Sequence, residues 1–414
     1  MRVSSLFSKT RKEAPKDEVS KNAILLIRAG FIDKLSAGVY SYLPLGLLAL
    51  RNIEKIIREE IQALGAEEVL LPALHPKENW QTTGRWDSLD VLFKFPDTFG
   101  HEFALGPTHE EIITPLAKNI ISSYRDLPKA VYQFQNKFRM EKRAKSGLLR
   151  GREFLMKDLY SFHASEDDLE EYYEKVSDSY KRIFTRVGIG EQTYLTYASG
   201  GSFSQYSHEF QTLTEAGEDT IFVCGECGRA VNKEIFQENA ACPHCRAQNF
   251  SEKTAVEVGN IFLLKTKFSD AFQVSFKDEQ GELRPVQMGC YGIGLGRLLG
   301  TVVEVLADER GLVWPEEVAP AMLHIVDLTR DEKNKETALA LYHKAKVVQN
   351  NVLFDDREIG AGEKLADADL LGMPVRVVIS DRTLEKESVE ITHRQNGEIK
   401  VIRLSEFENE YLRI

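Results

Sequence analysis

Residues 131–163 read VYQFQNKFRMEKRAKSGLLRGREFLMKDLYSFH. At the start, Tyr132, Phe134 and Phe138 alternate with polar neighbours, the period of a half-buried strand. The closing REFLMKDLYSFH has the composition of a second strand, and a loop rich in Lys, Arg and Gly lies between them. From Lys137 to Arg152 there are seven basic residues (Lys137, Arg139, Lys142, Arg143, Lys145, Arg150, Arg152) and one acid, Glu141. By composition this is either a solvated loop or a local anion-binding patch. The whole chain carries a net charge of −11, which argues against general coating of nucleic acid. It does not exclude a grip on one RNA, because the field at a cleft depends on local charges.

Upstream, LGLLALRNIEKIIREEIQAL (45–64) sets Leu47, Leu50, Ile53, Ile57, Ile61 and Leu64 on one helical stripe, and Gly65 stops it. The apolar run Val69–Leu71 then meets Pro72, which predicts a strand ending at an edge or interface. Downstream, Ser165 with Asp168 three residues on predicts a capped helix that ends near Gly188. Residues 217–250 replace periodic apolar runs with cysteines, small polar residues and turns, and read as a small inserted module. Strand patterns resume around Phe262 and over Phe272–Phe276, with Asp278–Gly281 as a turn. A glycine-rich stretch then opens into an apolar helix, Leu298–Leu306. Beyond Trp314 and Pro315, strands at Leu323–Leu328, Val352–Phe354 and Val375–Ile379 alternate with helices near 331–349 and 362–371. That alternation predicts a βαβ unit, a small, partly parallel sheet and a boundary near residue 318.

The 414 residues predict two or three domains, and 43% hydrophobic with 28% charged residues is ordinary for a soluble globular chain. No apolar run approaches the roughly 20 residues of a membrane span. The opening MRVSSLFSKTRKEAPKDEVS mixes basic residues with three acids and lacks the apolar stretch of a secretory signal. A cytoplasmic protein is expected. Four of the five cysteines form two pairs, Cys224-x-x-Cys227 and Cys242-x-x-Cys245, separated by 14 residues. Two such knuckles can close one tetrahedral thiolate site, so a structural zinc is expected, with His244 as a competing ligand. No GxxxxGK[ST] loop occurs, and GCYGIGLGR (289–297) does not fit GxGxxG before a helix. A nucleotide site in this chain must be built mainly from arginines.

Three stretches in order resemble the signatures of class II aminoacyl-tRNA synthetases. LGLLALRNIEKIIREEIQALGAEEVLLP, ending at Pro72, is similar to the first. FRMEKRAKSGLLRGREF (138–154) is similar to the second, and GCYGIGLGR to the third. GPTHEE (106–111) resembles the amino-acid-binding segment of the subgroup with prolyl and threonyl enzymes. GREFLMKDLYSFH, SHEF, MGCYGIG and DERGLVWP most resemble the bacterial-type prolyl-tRNA synthetase family.

The resemblance implies an α+β chain: an antiparallel-sheet catalytic domain (1–216 and 251–317), a zinc-knuckle insertion (217–250) and a C-terminal α/β anticodon-binding domain (318–414). It implies activation of proline with ATP and transfer to tRNA(Pro). Arg139 would hold the α-phosphate and the substrate carboxylate together, since a guanidinium forks two oxyanions. Arg297 would take the γ-phosphate, Arg150 or Arg152 would help bind ATP, Glu141 would accept from the adenine amino group, and Phe154 would stack on the ring. Thr108 and Glu110 would bind the secondary ammonium, with His208 lining the same pocket. Magnesium would bridge the phosphates, with Glu257 as a ligand. Arg143 and Lys145 would face the tRNA acceptor end, and Arg357, Lys364 and Asp369 the anticodon. Cys290 matches a cysteine typical of prolyl enzymes, either near the reacting centre or inert. A homodimer is expected from the first signature.

One departure stands out. Bacterial prolyl enzymes usually insert a large editing domain between the second and third signatures, and only the short module stands there. Proofreading would then need a separate editing protein. A threonyl-type enzyme would use a core cysteine and histidines to hold a catalytic zinc, and outside the knuckles this chain has only Cys290, wrongly placed. A silent tRNA-binding relative would have lost the signature arginines, and Arg139 and Arg297 are both present.

Overall fold

The computed structural model describes residues 1–16, 18–201, 203, 206–236, 241–348 and 351–412. The chain divides into two compact units, one of Met1–Leu35, Tyr40–Ile53 and Val302–Ile414, the other of Ser36–Val39 and Glu54–Thr301. Among the described residues, no helix is long and apolar enough to cross a membrane.

The larger unit is built on a nine-stranded sheet. Its order is Tyr206–Leu213, Thr193–Ser199, Ala230–Asn232, Asp219–Cys224, Phe250–Lys265, Gln287–Gly294, Glu153–His163, Lys129–Phe138 and Glu67–Glu68. Most neighbours are antiparallel. The stretch 131–163 forms adjacent strands with Lys129 opposite Phe162 and Phe138 opposite Glu153. Gln287–Gly294 pairs with the second of these, Gly294 opposite Met156. The second and third signatures therefore share one sheet. The helix Glu166–Arg186 buries Tyr173, Val176, Tyr180, Ile183 and Phe184, and Ser165 caps it by accepting from the Asp168 amide.

Three local expectations shift. The strand expected at Val69–Leu71 ends earlier, at Glu68. The Val69 amide still bonds to Tyr132, but the Leu71 backbone is taken by the side chains of Gln133 and Gln135 instead of a ladder. Phe272 closes a short helix, Lys267–Phe272, because Gln273 turns the chain with φ 56°, and the strand starts only at Ser275. The small inserted module expected at 217–250 also contributes two strands, Asp219–Cys224 and Ala230–Asn232, to the main sheet.

The other unit holds a five-stranded sheet ordered Val352–Asp355, Leu323–Asp327, Val375–Ile379, Ser388–His393 and Ile399–Arg403. The first three strands are parallel and the last two antiparallel. Alternation along the strands sends Leu323, Ile325, Val375 and Val377 to one face, against Leu341 and Phe407. Val326 and Val378 go to the other, against Ala368. The N-terminal segment, read from sequence with residues 1–216, is grouped here instead. Arg2 bridges to Phe354, the Thr10 hydroxyl donates to Asp367, and Asn22 donates to Glu304.

Candidate active site

Arg139 follows directly on the strand Lys129–Phe138, and its amide donates to Arg152 O across the hairpin. Its guanidinium lies 5.3 Å from the Phe154 ring centroid and reaches Pro107 O at 3.4 Å. Burial, and then Arg297, push its pKa down. Among the described residues it forms no ion pair. Arg297, in the helix Leu295–Leu306, donates to Leu149 O at 2.8 Å and pairs with Glu257 at 3.0 Å. Both arginines line one cavity with Thr108, Glu257, Asn260 and Cys290. They also line an adjoining recess with Glu141, Arg150 and Phe154.

One end of the cavity grows from GPTHEE (106–111). Gly106 must be glycine, since a Cβ there would sit 2.5 Å from the His75 ring. The helix Glu110–Lys118 starts at a carboxylate buried completely. Glu110 accepts from the Thr108 hydroxyl at 2.6 Å and from the Cys290 thiol at 3.1 Å. Arg85 Nη1 stands 3.6 Å from Glu110 and 2.9 Å from Glu111. Burial raises Glu111 to about 7. Cys290 is pushed up by burial and then by Glu110, which makes it a donor rather than a nucleophile. Behind this row, buried Lys137 pairs with Asp158 at 2.8 Å and donates to His109 Nδ1 at 2.6 Å. His109 is held neutral mainly by burial, so its Nε2–H donates to Pro72 O.

An acidic wall faces the arginines. The register of Tyr206–Leu213 against Phe250–Lys265 slips between Phe210 and Gln211. That bulge brings Glu257 and Asn260, three residues apart, to the same side, where Asn260 donates to Glu257 at 2.9 Å. Asn260 Oδ1 is buried and has no hydrogen-bond partner among the described residues. Glu209, raised to about 8 by burial and then Glu257, completes the group. A carboxylate beside an unclaimed amide oxygen suits a hard cation.

His208 is not on the cavity. Alternation turns it away, so that Glu209 and not His208 lines the site. Its Nδ1 bonds to the Tyr173 hydroxyl at 2.7 Å, and burial lowers it to about 4. Arg150 reaches Glu141 at 2.9 Å and Glu218 at 2.5 Å, beside the recess. Arg152 instead donates to Glu141 O and Ala37 O, so Arg150 is the one of the pair that faces the site. Arg143 and Lys145 are exposed on the loop, Lys145 paired with Glu218 at 3.3 Å. Glu209, Asn260 and the cavity residues Asp158, Phe203 and Phe262 were not legible as site residues. A bulge and a strand's facing direction decide them, and neither has a motif.

The four cysteine sulfurs lie within 4.8 Å of one another, with closest pairs at 3.5 and 3.7 Å. A tetrahedron with Zn–S near 2.3 Å has edges of about 3.8 Å, so the cluster could hold that ion. Both knuckles turn alike: Gly228 and Arg246, each just after a second cysteine, have φ of 70° and 65°. Their amides donate to Cys224 O and Cys242 O. The amides of Cys227 and Glu226 draw Cys224 down to about 7. His244 is exposed and outside the cluster.

In the C-terminal sheet, Arg357 is held by Asp355 at 2.7 Å and Asp367 at 2.8 Å. Lys364 is buried and donates to Asp327 O and Asp355 O, and Asp369 pairs with Arg376. An RNA base would have to take these groups from their present partners.

An antiparallel sheet presenting two signature arginines to one cavity, with a separate mixed sheet following, defines a class II aminoacyl-tRNA synthetase. Residues 93–306 match the family model "tRNA synthetase class II core domain (G, H, P, S and T)", and residues 323–413 match "Anticodon binding domain". The chain is 35% identical to the proline–tRNA ligase of Persephonella marina, covering 99% of each. It is 37% identical to that of Sulfurimonas denitrificans, covering 96% of each. The chain belongs to the proline–tRNA ligase family. The first alignment runs over 563 residues and the second over 421. The Persephonella protein therefore has a long stretch without counterpart in these 414 residues. Among solved structures, the Cryptosporidium parvum prolyl-tRNA synthetase complexed with halofuginone and AMPPNP shares the fold at TM-score 0.77 and 20% identity, over 94% of this chain and 73% of that one. The Giardia lamblia enzyme in complex with prolyl-adenylate does so at 0.77 and 19%, over 93% and 75%.

Proposed function

We propose that the chain joins proline to tRNA(Pro) in two steps at this cavity. A proline carboxylate oxygen attacks the α-phosphorus of ATP and pyrophosphate leaves. The terminal ribose hydroxyl of the tRNA then attacks the acyl carbon and AMP leaves. The observation that carries this reading is Arg139: a guanidinium in the cavity, without an ion-pair partner among the described residues and repelled by Arg297. Such a pair asks for anions. Two anionic reactants need neutralisation and alignment more than acid–base help. Arg139 would bridge the carboxylate and the α-phosphate, and Arg297 the γ-phosphate. Glu141, Arg150 and Phe154 form the recess for adenine. Glu110, fixed by Thr108 and Cys290, would take the secondary ammonium.

Glu257 and the free Asn260 Oδ1 are the groups to hold magnesium, which would neutralise the phosphates when bound. The cysteine cluster would hold a structural zinc with no open position. Arg143 and Lys145 would meet the acceptor end, and Arg357, Lys364 and Asp369 the anticodon, after giving up their internal partners. A homodimer, a cytoplasmic location and a separate editing protein belong to the same proposal; the stretch absent relative to the Persephonella protein supports the last.

The test is ATP–pyrophosphate exchange with each of the twenty amino acids, beside Arg139→Ala. Exchange with proline alone, reduced by about 100-fold or more in the variant, is expected from loss of a charge-stabilising donor. Exchange with threonine, or none from folded protein with magnesium, would overturn the reading.

A further inference from the structure

Arg85 lies outside every motif above, yet its guanidinium supports both ends of the amino-acid pocket. It is 6% exposed and opens the short helix Arg85–Ser88. One nitrogen stands between Glu111 at 2.9 Å and Glu110 at 3.6 Å. Its Cζ lies 4.8 Å from the Phe203 ring centroid, with Trp80 at 5.4 Å and Phe268 at 5.6 Å around it. Phe203 lines the cavity and packs on Phe262 at 4.8 Å. A single cation thus touches the carboxylate offered to an ammonium and the aromatic wall offered to an apolar ring.

The charges explain why it must be there. Glu110 and Glu111 are adjacent and fully buried, and two such carboxylates cannot both stay ionised without a cation. Arg85 is the cation beside both carboxylates, with Nη1 at 2.9 Å from Glu111 and 3.6 Å from Glu110. Without it, the two adjacent buried carboxylates face each other with no cation between them, and Glu110 loses a contact that fixes its direction. A guanidinium over Phe203 at this distance is also not equivalent to a compact ammonium, which cannot stack on the ring.

We propose that Arg85 is a positioning and specificity-determining residue of the amino-acid pocket, holding Glu110 for the substrate's secondary ammonium and Phe203 against its ring. This rests on the reading of the cavity as the proline site. The substrate class follows from the two supports together: a small cyclic amino acid, charged at one end and apolar at the other.

The test is pyrophosphate exchange with proline and with alanine, by wild type, Arg85→Met, Arg85→Lys and Phe203→Leu, with unfolding midpoints measured in parallel. Arg85→Met is expected to raise KM for proline by about tenfold or more, the loss of a charged hydrogen-bonded anchor, while KM for ATP stays within about twofold. Its preference for proline over alanine falls. Arg85→Lys restores part of the proline KM but not the preference, and Phe203→Leu lowers the preference and raises the proline KM, with KM for ATP within about twofold. Unchanged KM and preference in folded Arg85→Lys and Phe203→Leu would overturn the inference. So would a fall in kcat that tracks the unfolded fraction, with KM and preference intact. Wild-type protein that exchanges with no amino acid would instead sink the proline-site reading.

Discussion

Lys157 is a fully buried lysine whose removal should change how stability depends on pH. It alternates with Asp158 on the strand Glu153–His163 and so faces the helix Glu166–Arg186 rather than the cavity. Its ammonium donates to the Tyr180 hydroxyl at 2.6 Å and Tyr291 O at 3.1 Å. Among the described residues no carboxylate pairs with it, and burial lowers its pKa from 10.5 to about 7. The unfolded chain therefore binds more protons than the folded one from pH 7 to 10.5. Across that window stability from this group rises with pH, by about 1.4 kcal/mol per unit and roughly 5 kcal/mol in all. Lys157→Met removes that cost but loses two hydrogen bonds and orphans a carbonyl, together about 2–3 kcal/mol. The variant should be more stable by roughly 2 kcal/mol at pH 7 and lose the advantage near pH 9. Urea unfolding at pH 7, 8 and 9 measures this in a common Trp314→Phe background, where Trp80 and Trp86 report the unit holding Lys157. Stability curves of wild type and variant running parallel from pH 7 to 9 would refute the reasoning, because the buried lysine would then carry the same charge throughout.

Three other outcomes follow from the geometry. A Cβ at Gly292 would meet nothing nearer than Met156 Sδ at 3.7 Å, while the residue lines the cavity. Gly292→Ala should unfold within about 0.5 kcal/mol of wild type, whereas Gly292→Leu should fold and abolish exchange; equal activity in both would place the substrate elsewhere. Wild type should carry one zinc per chain by atomic absorption, and Cys245→Ser none, with a melting midpoint lower by at least about 5 °C. Since Cys245 is exposed, an unchanged midpoint would leave the metal no structural part. Arg143→Ala should weaken charging of tRNA and reduce the salt slope of binding by about one, with pyrophosphate exchange unaffected; a fall in exchange would put Arg143 at the chemistry instead.

Much of this fold is written in local patterns. Alternation at Tyr132, Phe134 and Phe138 and the capping pair at Ser165 and Asp168 are short-range signals, and both elements form where they predict. The C-terminal βαβ alternation is of the same kind. Elements failed where a distant partner outbid the local pattern. Leu71 has the composition of a strand residue, but Gln133 and Gln135, some sixty positions away, take its backbone groups. Within 217–250 the described strands are short: Asp219–Cys224 takes its register from Phe250–Lys265, and Ala230–Asn232 from Asp219–Cys224 and Thr193–Ser199, so strands of the main sheet lie in a stretch that reads as turns and an inserted module.

The site shows the same division in its charges. Residue type and order mark Arg139 and Arg297 together, yet the structure gives them different states: Arg297 is paired with Glu257, and Arg139 forms no ion pair among the described residues. The bulge at Phe210/Gln211 decides this, by turning Glu257 toward the arginines. SHEF is a second case. As a motif it recommends its histidine, but period-two geometry sends His208 to Tyr173 and delivers Glu209 to the recess that Arg139, Glu257 and Arg297 also line. Arg85 is a third, because nothing in GRWDS distinguishes it from a surface cation until Glu110, Glu111 and Phe203 close around it. A motif names the chemistry a site can hold. Which member of it meets the substrate is set by strand parity, bulges and buried charge balance, and those belong to the folded chain.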